Sequence, residues 1–184
     1  MRTFTKRLLC AFASLVFLFL AFAQTTPQRR TTTSTISTTI PAAMKTAAQS
    51  AAAQGCDTNL LNHIYKPTRL KMIAPCIEVA GTIHHTKPEA DGDDHIQLRV
   101  DPQFADLLND RNKTAQADSL IIEPVCQGTV TQPDALLACR DFHSSVEVPA
   151  RGTKVRVLGR FVLDTEPGHG WTEIHPVTSI VPAQ

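Results

Sequence analysis

The side chains best suited to chemistry lie close together near the C-terminus, in His169-Gly170-Trp171-Thr172-Glu173-Ile174-His175-Pro176-Val177. Imidazole and carboxylate groups ligate zinc and similar ions, and a tryptophan beside them offers an apolar face to a ligand. The stretch alternates polar and apolar residues, which predicts a half-buried strand. Residues i and i+2 on a strand share a face about 6.5–7 Å apart, so Trp171, Glu173 and His175 fall together, opposite Ile174. An apolar interior takes Ile174 and leaves the trio outside or under a loop.

A second stretch, Asp91-Gly92-Asp93-Asp94-His95-Ile96-Gln97-Leu98-Arg99-Val100, pairs a turn signal with a clean alternation. Ile96, Leu98 and Val100 face in; His95, Gln97 and Arg99 face out. If the two strands meet, Asp93, His95, His169, Glu173 and His175 form a candidate metal site. Trp171, Glu173, His175, His95 and Arg99 form the corresponding candidate ligand face. The structural alternative is a hydrogen-bonded network in which Asp93 and Asp94 are turn residues and Glu173 pairs with Arg99 or a histidine. The acidic turn lacks the 12-residue ligand spacing of an EF-hand. Ser144 and Ser145 follow His143, but no G-x-S-x-G elbow and no phosphate-cradling glycine loop occurs. No catalytic residue is therefore assigned.

The elements that must position these groups follow from the rest of the 184 residues. Arg2, Lys6 and Arg7 precede an apolar run from Leu8 to Phe22 that ends in small residues, the order of a secretory signal over residues 1–23. Its cleavage leaves no stable membrane span and a secreted or periplasmic protein with 15 Lys+Arg against 17 Asp+Glu. A mildly acidic chain lacks the electrostatic attraction that nucleic-acid binders use. Five aromatic residues, Tyr65, Phe104, Phe142, Phe161 and Trp171, are few for stacking single-stranded bases.

Residues 24–55 are dominated by Thr, Ser, Ala, Gln and Pro and read as a disordered tether. The folded domain is expected over residues 56–184. Its four cysteines, Cys56, Cys76, Cys126 and Cys139, allow three disulfide connectivities; the pairs nearest in sequence, Cys56–Cys76 and Cys126–Cys139, are favoured. Strands are expected at Leu70–Ile73 continuing through Ile77–His84, at His95–Val100, at Ser119–Glu123, at Thr153–Leu163 and in the C-terminal stretch. A short helix is expected from Phe104 to Asn109, capped by Asp101. Gly81 in mid-strand signals a bulge. Five strands without βαβ alternation predict a mainly β fold, a small antiparallel OB-fold-like barrel with one short helix.

The motifs Cys76-x-Glu78-Val79-x-Gly81, Asp91-Gly92-Asp93-Asp94-His95-Ile96, Val155-x-Val157-x-Gly159 and His169-Gly170-Trp171-x-Glu173-Ile174-His175-Pro176 resemble a family of exported OB-fold-like bacterial proteins of uncharacterised function. The resemblance spans most of the folded domain and brings no ligand or catalytic residue. The expected function is a non-catalytic binding module, with an envelope glycan or protein as partner ahead of nucleic acid. The alternatives are a metal-dependent hydrolase, phosphodiesterase-like, using a divalent ion held by the His/Asp/Glu cluster, and a tethered structural or interaction protein. No other cofactor is expected.

Overall fold

A computed structural model describes residues 55–183 together with Met44. The expected signal and tether lie outside the described residues. Five strands form one sheet: β1 Leu70–Pro88, β2 Asp94–Val100, β3 Leu120–Ile122, β4 Lys154–Asp164 and β5 Thr172–Pro182. Neighbouring strands pair in the order β1-β2-β3-β5-β4, and β4 returns to β1, so the sheet closes on itself. Every strand thus has a neighbour on both sides, although β3 and β5 share only two residue pairs, Ile121–Glu173 and Ile122–Ile174.

The alternation read from the sequence places the core. Ile77, Val79 and Ile83 of β1, Ile96 and Leu98 of β2, Leu120 and Ile122 of β3, Val155, Val157 and Phe161 of β4, and Ile174, Val177 and Ile180 of β5 meet inside the sheet. Phe104 and Leu107 join them from a 3₁₀ turn, Pro102–Leu107. A second apolar cluster, Leu60, Ile64, Val125 and Cys126, with Phe142 against it, forms among the connecting segments.

Three expectations need correction. The sheet is mixed, because β3 and β5 run parallel, with Ile121 opposite Glu173 and Ile122 opposite Ile174. Parallel neighbours need a long crossover, and the chain between β3 and β5 supplies it by passing through β4. The short helix is also displaced along the chain. Phe104 lies in the 3₁₀ turn, where Asp101 makes no side-chain cap, and the one α-helix of the described segment 55–183 is α1, Asp110–Ala115. Asn109 caps it, accepting from the Arg111 and Asn112 amides while the Asn112 side chain accepts from the Asn109 amide. Finally, β1 is irregular at Met72 to Ile77 and again between Ile83 and His85, not at Gly81. Gly81 instead permits close backbone approach, since a Cβ there would stand 2.4 Å from the Arg99 carbonyl oxygen.

Both favoured disulfides form, Cys56–Cys76 and Cys126–Cys139. Two disulfides suit an oxidising, extracytoplasmic environment. Among the described residues no helix is long and apolar enough to cross a membrane. The second bridge closes a loop with a sequence separation of 13, which corresponds to about 3 kcal/mol in the chain-entropy account. Replacing Cys126 and Cys139 together by serine is expected to lower unfolding stability by about that amount, read by urea denaturation. An unchanged midpoint would mean the loop is held by its other contacts.

Candidate functional site

β5 carries Glu173 and His175 on the face opposite Ile174, as alternation requires. That outer face is roofed. Trp171, Glu173 and His175 are all buried, and Arg69 from before β1, Glu123 from after β3 and Gln116 from between α1 and β3 reach the polar groups of this face. Of the two positions foreseen for the trio, outside or under a loop, the structure takes the second.

Beneath the roof the polar groups form one connected network. His175 donates from Nδ1 to Glu123 Oε2 at 2.8 Å and to Glu173 Oε1 at 3.2 Å. His95 donates from Nδ1 to the other Glu123 oxygen at 2.7 Å, and from Nε2 to Gln116 Oε1 at 3.2 Å. Trp171 Nε1 donates to Glu173 Oε2 at 2.9 Å. His169 stacks on the Trp171 ring, centroids 4.2 Å apart, and donates to Asp164 Oδ2 at 2.8 Å. Arg69 pairs with Asp164 and reaches within 3.8 Å of Glu123 and 3.9 Å of Glu173. Asp93 accepts from the Cys126 amide at 2.8 Å through Oδ1, and its Oδ2 lies 3.6 Å from His175 Nε2.

The electrostatics follow from this packing. Burial opposes charge on His95 and His175, but hydrogen bonds and the negative charge of Glu123, joined at His175 by Glu173, raise them to about 9 and about 10. Burial likewise opposes charge on Glu123, yet its two histidine partners hold it well below the usual carboxylate range. Glu173 goes the other way, raised by burial and by the charge of Glu123. Burial also pushes Asp93 up to about 7, against the opposing pull of His175.

Each sequence-derived candidate can now be placed. Asp93, His95, His169, Trp171, Glu173 and His175 belong to the same network. Arg99 does not; it donates to His84 Nε2 at 3.2 Å and lines a separate cleft with Asp106, Lys113 and Asp118. Other outward cations have their own partners: Lys154 pairs with Asp101 at 3.2 Å and Arg156 approaches Glu78 at 3.9 Å. Sequence reasoning missed Arg69, Gln116, Glu123 and Asp164. It also missed Asn112, whose buried amide donates to the Ser119 and Thr172 carbonyls and accepts from the Thr172 amide and hydroxyl. Asn109 donates to the Gly170 carbonyl and Arg111 to the His169 carbonyl, so α1 fixes the turn that presents His169 and Trp171. The Asn109-x-x-Asn112 spacing resembles a capping box and was the available signal.

At the edge of the roof the network reaches solvent. A cleft of about 310 Å³ is lined by His85, Lys87, Glu89, His95, Gln97, Gln116, His169 and Trp171. It combines β2, the β1–β2 turn and the β4–β5 turn. The chain matches no family model, no curated protein and no solved structure.

Proposed function

We propose that the folded segment is an exported, non-catalytic OB-fold-like binding barrel whose ligand occupies the cleft beside His95. The observation that carries the reading is the position of that cleft. OB folds bind oligosaccharides and oligonucleotides on the face of strands 2 and 3 and in the loops joining strands 1–2 and 4–5. Here His95 and Gln97 come from β2, Lys87 and Glu89 from the end of β1 and its turn, and His169 and Trp171 from the turn before β5. The closed strand order and the parallel β3–β5 pair support the same architecture.

The lining is polar and hydrogen-bonding, with amides and imidazoles and a buried tryptophan beneath. Such a surface suits hydroxylated ligands, where each donor or acceptor left unpaired is costly. A glycan of the cell envelope therefore ranks ahead of nucleic acid, which would need a basic field and exposed aromatic faces to stack on. Export is supported by the two disulfides and by the N-terminal sequence pattern.

The full chain, purified oxidised, is expected to be retained on immobilised envelope oligosaccharides. Retention should fall at least about tenfold in a His85→Ala/His169→Ala double variant, which trims two groups from the rim of the cleft, where a polar contact is worth about 1.5 kcal/mol. Equal retention of wild type and variant, or retention only on single-stranded nucleic acid, would sink the glycan reading.

A further inference from the structure

Beneath the roof, separate from the cleft, lie two side-chain atoms that the network does not satisfy. Asp93 Oδ2 and His175 Nε2 are both buried, and among the described residues neither has a hydrogen-bond partner. They face each other at 3.6 Å, too far for a hydrogen bond between them. Their opposite ends are held. Asp93 Oδ1 accepts from the Cys126 amide, and His175 Nδ1 is tied to Glu123 and Glu173. Two rigidly oriented ligand atoms thus converge on one point.

We propose that Asp93 Oδ2 and His175 Nε2 bind a divalent transition-metal ion, zinc being the best match, with Glu123 as the carboxylate that orients the imidazole. The distance suits this. With zinc–nitrogen bonds of about 2.0–2.1 Å and zinc–oxygen bonds of about 2.0–2.2 Å, ligands so spaced subtend roughly 115–125° at the ion, close to a tetrahedral arrangement. The carboxylate on Nδ1 is the usual outer partner of a ligating histidine, fixing its tautomer and leaving Nε2 to the metal. Imidazole with carboxylate is a donor pair that favours zinc over calcium or magnesium, which prefer oxygen alone. The charge is favourable as well. Asp93, Glu123 and His175 each offer a ligand atom within 4.8 Å of the others, and Glu173 holds the Nδ1 side of the imidazole. Binding the ion displaces any proton on Nε2 to solvent and sets positive charge beside the Asp93 carboxylate.

Two other groupings of metal-type side chains carry nothing. Asp93 with Cys126 and Cys139 is excluded because both sulfurs are in the disulfide. Glu89 with His95 and Glu123 has both imidazole nitrogens of His95 already engaged.

The test uses the full chain with its disulfides intact, dialysed against trace zinc and then metal-free buffer, with elemental mass spectrometry as the readout. Wild type should retain about one zinc per chain and Asp93→Asn at least about tenfold less, while Asp106→Asn, an acidic change in the separate cleft, should match wild type. Asp93→Asn keeps the oxygen that accepts from Cys126, and circular dichroism reports whether it folds. A second measurement needs no variant: zinc should raise the thermal midpoint of wild type, and a chelator should reverse the shift. No retained zinc in wild type, retention unchanged in a folded Asp93→Asn, or a midpoint indifferent to zinc would each overturn the site. None of these outcomes depends on whether the cleft binds a glycan.

Discussion

Replacing Arg69 by methionine is expected to destabilise the protein by about 3–5 kcal/mol, the range for removing one partner from a buried ion pair. Arg69 lies just before β1, and its guanidinium stands among Asp164, Glu123 and Glu173, all buried. Methionine keeps much of the packing volume and deletes the charge. Those carboxylates would then be left to the side chains of His95, His169 and His175 alone. Burial opposes charge on Arg69 itself, yet the charges of Glu123, Glu173 and Asp164 more than compensate and raise it. Urea denaturation at pH 7 is the check. A loss below about 1 kcal/mol would mean that water or rearranged histidines replace the guanidinium, and that the network is far more adaptable than its geometry indicates.

The other large effect is expected at Gly159. Here β4 and β5 are out of simple register, with Gly159 opposite Val177 and Phe161 opposite Ile174, so His175 and Pro176 form an irregularity between two inward-facing residues. A Cβ on residue 159 would stand 2.3 Å from Ile174 Cγ2 and 2.6 Å from the Pro176 carbonyl oxygen. The first contact is with a side chain that a rotamer change moves, but the second is backbone and cannot yield without moving β5. Gly159→Ala should therefore cost about 3 kcal/mol, the upper part of the range for overpacking, and should disturb His175 with it. Gly128→Ala is the control, because nothing lies closer than 3.9 Å to its Cβ position. Equal midpoints for the two variants would show that β5 shifts at little cost.

These two residues mark where the sequence was readable and where it was not. The strand interiors were legible because apolar residues alternate along Ile96, Leu98 and Val100, or Ile77, Val79 and Ile83, and an inward face needs that spacing whatever else surrounds it. Asp93, His95, His169, Glu173 and His175 were also recognisable as neighbours, since two strands and two turns carry them all. The roof was not legible. Glu123 follows three buried strand residues and reads as an ordinary strand end; Arg69 reads as a turn residue after Pro67; Asp164 reads as the start of a loop. Nothing in local pattern says that three such charges, 54 and 41 positions apart in the chain, will be buried together. The parallel β3–β5 pair escaped for a related reason: alternation tells which face of a strand is buried and is silent about its direction.

That same pair has a consequence for how the chain reaches its native state. β5 is the last strand, and it supplies partners to both β3 and β4. Until it arrives, the strands made earlier have two unfilled edges, and half of the polar network has no counterpart. Contacts of such large sequence separation form slowly, because the ordering of the intervening chain precedes any return from them. A polypeptide synthesised from its N-terminus therefore leaves this sheet open until β5 is available. The feature that closes the sheet thus also postpones its closing.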